Sequence, residues 1–213
     1  MVEQYTHFSA EKHGFQFINT FPLPISKKIN ANKIRYGLCG GMCLAALDAY
    51  ASHKTLPDIT ANQRIRRKIL AYLHFRQWSS LPLDVVLRIL VWMRLTPAQI
   101  SLNMRRSVLP DLLRAFSQGR PAVLMLIHNR SIWEVTKNHQ VIATGYTEDS
   151  PTHALKISIY DPNYGGQSTW LEIMDTANPF TVRHSSGEKC YGFFCSPNRL
   201  GNIFSRLYNW LFP

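Results

Sequence analysis

The spacing of apolar residues changes once along this chain. Up to Gly119 they recur at helical intervals, and beyond it they alternate or run in short blocks. Residues 1–13 are polar and predicted to be peripheral. Phe15–Phe21 alternates apolar with polar and predicts a strand, ended by Pro22 and Pro24. Residues 25–36 form a basic, asparagine-containing approach to a turn. A run of strong helix formers, apolar on almost every side, then predicts a buried helix from about Gly40 to Ser52. Thr60 or Asn62 could cap a second helix reaching Arg76, with Ile65, Ile69, Leu70 and Leu73 as its apolar stripe. Ser80 could cap a third, with Pro82 in its first turn and Leu83, Val86, Leu87, Leu90 and Val91 facing inward. Ser107 could cap a fourth, with Pro110 near its start and Gly119 near its end.

Pro121–His128 is nearly all apolar, the mark of a central strand. Further strands are predicted at His139–Thr147, His153–Asp161, Ser168–Ile173, Phe180–His184 and Cys190–Cys195. Leu200, Ile203, Phe204, Leu207, Trp210 and Leu211 recur at helical spacing in Arg199–Phe212, a tail expected to close over its own domain. The expected class is α+β: helices first, a mainly antiparallel sheet after. One domain is expected over residues 1–213, with a helical part at about 37–118, a sheet at about 121–195 and a C-terminal helix at about 199–212.

Composition narrows the partners. The chain has 213 residues, 46% hydrophobic and 17% charged, enough for a folded core. No apolar run approaches the ~18–20 residues of a membrane span. Met1–Phe21 lacks a basic head followed by an apolar stretch, so no secretory signal is expected. Four cysteines without dense spacing point to a reducing compartment, which favours a cytoplasmic location. The net charge of +11, from 24 Lys+Arg against 13 Asp+Glu, favours anionic partners. Its densest run, Arg64–Lys68, reads as a solvated helix face. With no aromatic-interleaved RNA signature and no zinc-finger spacing, nucleic acid is not expected as the primary ligand.

The chemistry concentrates in three stretches. In Tyr36–Tyr50, Cys39 sits in a glycine-rich turn at the start of the buried helix, where the free first-turn N–H groups and the helix dipole would stabilise a thiolate. Gly40 and Gly41 would let a substrate backbone come close. Cys43, one turn later, is the alternative nucleophile. The other two stretches are Asn138–Tyr146 and Leu155–Asn163. A hairpin turning at Ser150-Pro151 would set His139 opposite Asp161, Val141 opposite Ile159, Ala143 opposite Ile157 and Gly145 opposite Leu155. A general base and its orienting carboxylate need that placement, an imidazole and a carboxylate at the open end of one apolar face. Asn163 is the fallback orienter. His74, His128, His153 and His184 lack such a partner in the pattern. The gap between Cys39 and Cys43 is not a zinc-knuckle spacing, and neither metal nor cofactor is expected.

The order Cys39, His139, Asp161 resembles the papain-like cysteine peptidase superfamily. Within it, Gly37-Leu38-Cys39-Gly40-Gly41-Met42, His139-Gln140-Val141 and Tyr160-Asp161-Pro162-Asn163-Tyr164 look closest to double-glycine leader peptidases and their relatives. The resemblance covers roughly residues 32–195. It implies a papain-like fold and hydrolysis of a peptide bond through a thioester, with Cys39, His139 and Asp161 as a catalytic triad. It also implies a preference for Gly-Gly sites. Papain-like enzymes usually carry a glutamine oxyanion donor a few residues before the nucleophile; this chain has Lys33 there, so Asn32 is the substitute. The chain further resembles protease domains delivered as toxins or effectors into neighbouring cells by a signal-peptide-independent route. That implies an acidic target or an acidic immunity or inhibitor protein. The same three groups would serve a glutamine deamidase or acyltransferase, and an inactive papain-like binding domain is the third expectation.

Overall fold

The computed structural model describes residues 2–22, 35–58, 63–149, 154–174, 179, 181–197 and 202–212. Strand β1 (Val2–Tyr5) and a short helix α1 (Ala10–His13) open the chain. β2 (Phe21–Pro22) pairs with β3 (Arg35–Tyr36). Helix α2 (Cys39–Ala51) follows, then α3 (Gln63–Ser80) and α4 (Leu83–Arg94). α5 (Pro97–Asn103) runs through one π-helical stretch, Met104–Val108, into α6 (Leu109–Ser117). Strands β4 (Ala122–Ile127), β5 (His139–Glu148), β6 (Ala154–Tyr160), β7 (Ser168–Met174), β8 (Thr181–His184), β9 (Lys189–Cys190) and β10 (Gly192–Cys195) come next, and α7 (Asn202–Leu211) ends the chain.

The predicted division into a helical first half and a papain-like sheet half is not what the structure has. Helices and strands interleave along the whole chain. β1 pairs with β5 across the sequence, Val2 opposite Glu148 and Tyr5 opposite Gly145. The eight-stranded sheet has the order β10-β4-β5-β6-β7-β8-β9. One short ribbon, residues 189–195, makes both of its edges. Cys190 pairs with Val182, while Gly192 pairs with Ile127. The sheet therefore curls into a nearly closed barrel, which removes most of its exposed edge. Long-range pairing drives this closure, and no local periodicity encodes it.

Other expectations change for identifiable reasons. The first residues are structural, with Phe8 and Ala10 buried. Residues 15–20 are not a strand, and Phe21 only opens the two-residue β2; Phe15, Phe17 and Phe21 plug a core shared with α2 and α3. Thr60 and Asn62 lie outside the described residues. Ser80 ends α3 and does not cap α4, whose N-cap is Pro82. Ser107 is inside the π stretch, and the cap is Thr96, in a capping box with Gln99. The face of α4 is also reversed. Val85, Ile89, Trp92 and Met93 are buried, while Leu83 is 73% and Val91 56% exposed. Both rows are apolar, so the pattern alone does not say which one fills the core.

The cores share the work by position. Leu124, Leu126, Val141, Ala143, Ile157, Ile159, Leu171 and Phe193 belong to the larger cluster, which α4–α6 also enter through Ile89, Met104 and Phe116. α2 packs on the other face of the sheet, with Cys43, Leu44 and Leu47 against Val123, Ile142 and Tyr160. Tyr208 of α7 closes over α2 and α3 beside Tyr72.

Candidate active site

α2 is apolar all round because it is buried all round. From Gly40 to Ala49 every residue is inaccessible, including Asp48. Only its head reaches a surface. Cys39, half-buried, lines a cleft of about 1020 Å³ together with Asn19, Gly37, His139, Gln140 and Asn163. Gly40 and Gly41 do not face substrate, as the pattern had suggested. A Cβ on Gly41 would lie 2.2 Å from the Leu73 carbonyl oxygen, and one on Gly40 would lie 2.1 Å from both Ser80 Oγ and Gln140 Oε1. The pair lets α2 press against α3 and β5, and this sets the height of Cys39.

His139 opens β5 opposite Leu126, and Asp161 follows the last residue of β6. Their imidazole and carboxylate meet, with His139 Nε2 2.6 Å from Asp161 Oδ1. The expected register does not bring this about. Ile142 faces Tyr160 and Ala143 faces Ile159, two residues out from the predicted pairing, and a bulge at Thr144 adds a third beyond it. An even slip keeps the side chains on the same face, so the pair still meets at the end of the sheet. The opposite face of β5, which carries Gln140, is dry as well, because α2 covers it and Gln140 is 1% exposed.

Charge in the site follows from its contacts. Burial pushes the Cys39 thiol up, but His139 and the backbone N–H groups of Gln140 and Gly40 outweigh it, and the net shift is downward. Burial disfavours the His139 imidazolium, yet the neighbouring Cys39 thiolate and the Asp161 carboxylate raise its pKa to about 10. Burial opposes the Asp161 charge, and His139, His184 and the Asn163 N–H overcome it, holding the carboxyl well below its ordinary range. The Asn163 backbone N–H reaches Oδ1 at 2.8 Å. Asp161 takes Nε2 of His139, which leaves Nδ1 as the ring nitrogen for the thiol. Cys43 is different: burial, with Cys39 and Asp161 adding to it, drives its thiol far above the ordinary value. Its Sγ–H donates to the Gln140 carbonyl oxygen at 3.4 Å, inside the core.

Asn32 lies outside the described residues. Asn19 stands at the cleft without having been predicted. Its Oδ1 accepts the Leu38 N–H, and its Nδ2 donates to Asn163 Oδ1 at 3.1 Å. A lone Asn in an irregular segment carries no sequence signal. His184 was also missed. Its Nε2 lies 3.2 Å from Asp161 Oδ2, although the sequence pattern offers it no carboxylate. The hint was a histidine closing a predicted strand, and only the β7–β8 pairing shows where it ends up. Among the described residues no group of His, Cys, Asp and Glu is arranged to hold a metal ion, and no helix is long and apolar enough to cross a membrane. No protein-family model, curated protein or solved structure matches the chain.

Proposed function

We propose that the protein is a cysteine peptidase that cuts a protein substrate with Cys39 as nucleophile, His139 as general base and acid, and Asp161 as orienter. The observation that carries this reading is the 2.6 Å His139–Asp161 hydrogen bond beside a cleft-lining cysteine whose thiol is shifted toward thiolate. The thiolate attacks the carbonyl carbon of the scissile bond. The oxyanion is held by the Cys39 backbone N–H at the head of α2 and by the amide of Asn19, which takes the part first given to Asn32. His139 then gives its proton to the departing amine, the C–N bond breaks, and a thioester remains. Water attacks the thioester as His139 takes its proton, and Cys39 leaves again as thiolate.

The cleft and charge suit an extended acidic segment. Arg35, Lys137 and Lys189 line the cleft against Glu188 among the described residues, on a chain of net charge +11. All four cysteines are free, which suits work in a reducing compartment. The test is digestion of a proteome-derived peptide mixture by the wild type and by Cys39→Ala, read by mass spectrometry. Fragments that depend on Cys39 support the reading. Deamidated glutamines without fragments would replace it with the deamidase that shares the same three groups, and an unchanged mixture together with an unreactive Cys39 would refute both.

A further inference from the structure

The peptidase chemistry uses one nitrogen of one histidine on Asp161, yet the carboxylate has two imidazoles. His184 closes β8 opposite Leu171, and its side chain is fully buried. Its Nδ1 receives the Ser186 backbone N–H at 3.1 Å and lies 2.7 Å from Ser186 Oγ. A backbone N–H can only donate, so Nδ1 is an acceptor and the proton of the neutral ring is on Nε2. Nε2 faces Asp161 Oδ2 at 3.2 Å, within ion-pair distance though not aligned as a hydrogen bond. Neither atom has a hydrogen-bond partner among the described residues. The ring also stacks on Tyr164 at 5.6 Å and 28°, and Tyr164 belongs to the turn that follows Asp161.

Resting on the peptidase reading, we propose that His184 is a positioning residue of the Cys39 site: its Nε2–H holds the outer oxygen of Asp161, so that the inner oxygen is presented to His139. Without that N–H, a buried carboxylate oxygen loses the donor group that stands 3.2 Å from it. Asp161 then turns toward another partner or takes up a proton, and either change loosens its grip on the His139 imidazolium. The thiolate of Cys39 loses support in turn. A histidine that merely filled the end of the barrel would affect stability and leave this chain of charge untouched.

Other groups share the region and set the background of any titration. His128 from the end of β4 and Glu188 from the turn after β8 lie within electrostatic reach of His184 or its neighbours. Cys43 of α2, Tyr160 of β6 and Tyr164 interact with Asp161. None of these supplies a donor to Oδ2.

The experiment is alkylation of Cys39 by iodoacetamide in the full chain, followed by intact mass across roughly pH 4–10. In the wild type, Cys39 should react as a thiolate below the ordinary thiol range. His184→Phe keeps the ring and removes the donor. It should move the alkylation midpoint up by about one pH unit, roughly a tenfold slower reaction at pH 6. His184→Gln, which retains a side-chain N–H, should stay close to the wild-type profile. A folded His184→Phe with the wild-type profile overturns the proposal. Should that variant not fold, the ring nitrogens of the ¹⁵N-labelled wild type decide: an Nε2–H tautomer at His184 supports the clamp, and an Nδ1–H tautomer overturns it. A wild-type Cys39 that reacts no faster than a free thiol sinks the peptidase reading instead, and the tautomer still judges the clamp.

Discussion

Helix α2 serves a buried carboxylate at each end, and the two arrangements differ in what lies beyond them. At its head Cys39 meets His139, whose partner Asp161 is 1% exposed. In its last turns Asp48, also 1% exposed, binds Arg76 Nε at 2.7 Å and accepts the Tyr72 hydroxyl at 2.7 Å. The ring of Phe204 lies 3.9 Å from the Arg76 guanidinium carbon and seals that end under α7. Burial raises the Asp48 carboxyl in spite of Arg76, whereas Asp161 is held low. A buried, paired carboxylate is therefore not a sign of catalysis. What separates the two is the exit: the Asp161 network leads through an imidazole and a thiol into a cleft, and the Asp48 network ends in an arginine beneath an aromatic ring. The first ends where a cleft opens beside it; the second is sealed between helices.

The comparison predicts two separable sets of mutants. Cys39→Ala should cut peptide hydrolysis by about 10⁴-fold or more with little change in the urea midpoint. Hydrolysis that survives it, but not Cys43→Ala, would move the nucleophile one turn down the helix. Asp161→Asn keeps the shape and spoils the orientation, and should cost about 10³-fold in kcat with KM nearly unchanged. Arg76→Met leaves Asp48 buried without its partner and should cost about 3–5 kcal/mol in urea unfolding. The Cys39 alkylation rate of its folded fraction should match the wild type, and a changed rate would show that the two ends communicate. Gly41→Ala drives a methyl into the Leu73 carbonyl and should cost about 1–3 kcal/mol, while also slowing alkylation because it lifts Cys39 away from His139.

pH gives a subtler test at the reactive end. His139 has a folded pKa of about 10 against an ordinary 6.5. Its contribution to stability is thus complete below the ordinary value and is lost as pH rises through the folded one. Turnover needs the imidazolium to protonate the leaving amine, so kcat/KM should fall on the alkaline side near that value. Alkylation needs only the thiolate and should stay on its plateau there. Parallel decline of both curves would contradict the assignment of roles. Asp161 acts in the opposite sense: its contribution is present above the ordinary carboxylate value of 3.8 and is lost as pH falls through its lower folded pKa.

Much of the layout was legible in the pattern. The change of period at Gly119 separates α6 from β4 where the structure does. The strands predicted from residue 121 onward lie close to β4–β10, and α7 falls within the predicted tail helix. Cys39, His139 and Asp161 were picked out by residue type and by their places at element ends. The hairpin register was not legible, because the bulge at Thr144 has no signature in an apolar run. The His139–Asp161 meeting survived that error only because side-chain direction repeats every second residue. β1 reads as periphery in the sequence because the residues it pairs with, Gly145–Glu148, lie at the far side of the chain's helical stretch. The buried row of α4 was misassigned because a helix apolar on two sides does not say which side the core wants.

The sequence by itself determined the long helices between residues 40 and 117 and the strands after Gly119, since period and propensity are local, but not the elements of its first 36 residues. It also determined that a cysteine heads the most apolar helix and that a histidine and an aspartate end neighbouring strands. Tertiary structure alone decided that the ribbon 189–195 joins both sheet edges and that Gly41 is spent on Leu73. It alone decided that His184 stands behind Asp161. Each of these is a contact between residues far apart in the chain, settled by which faces must be buried together and which buried charges must find a partner.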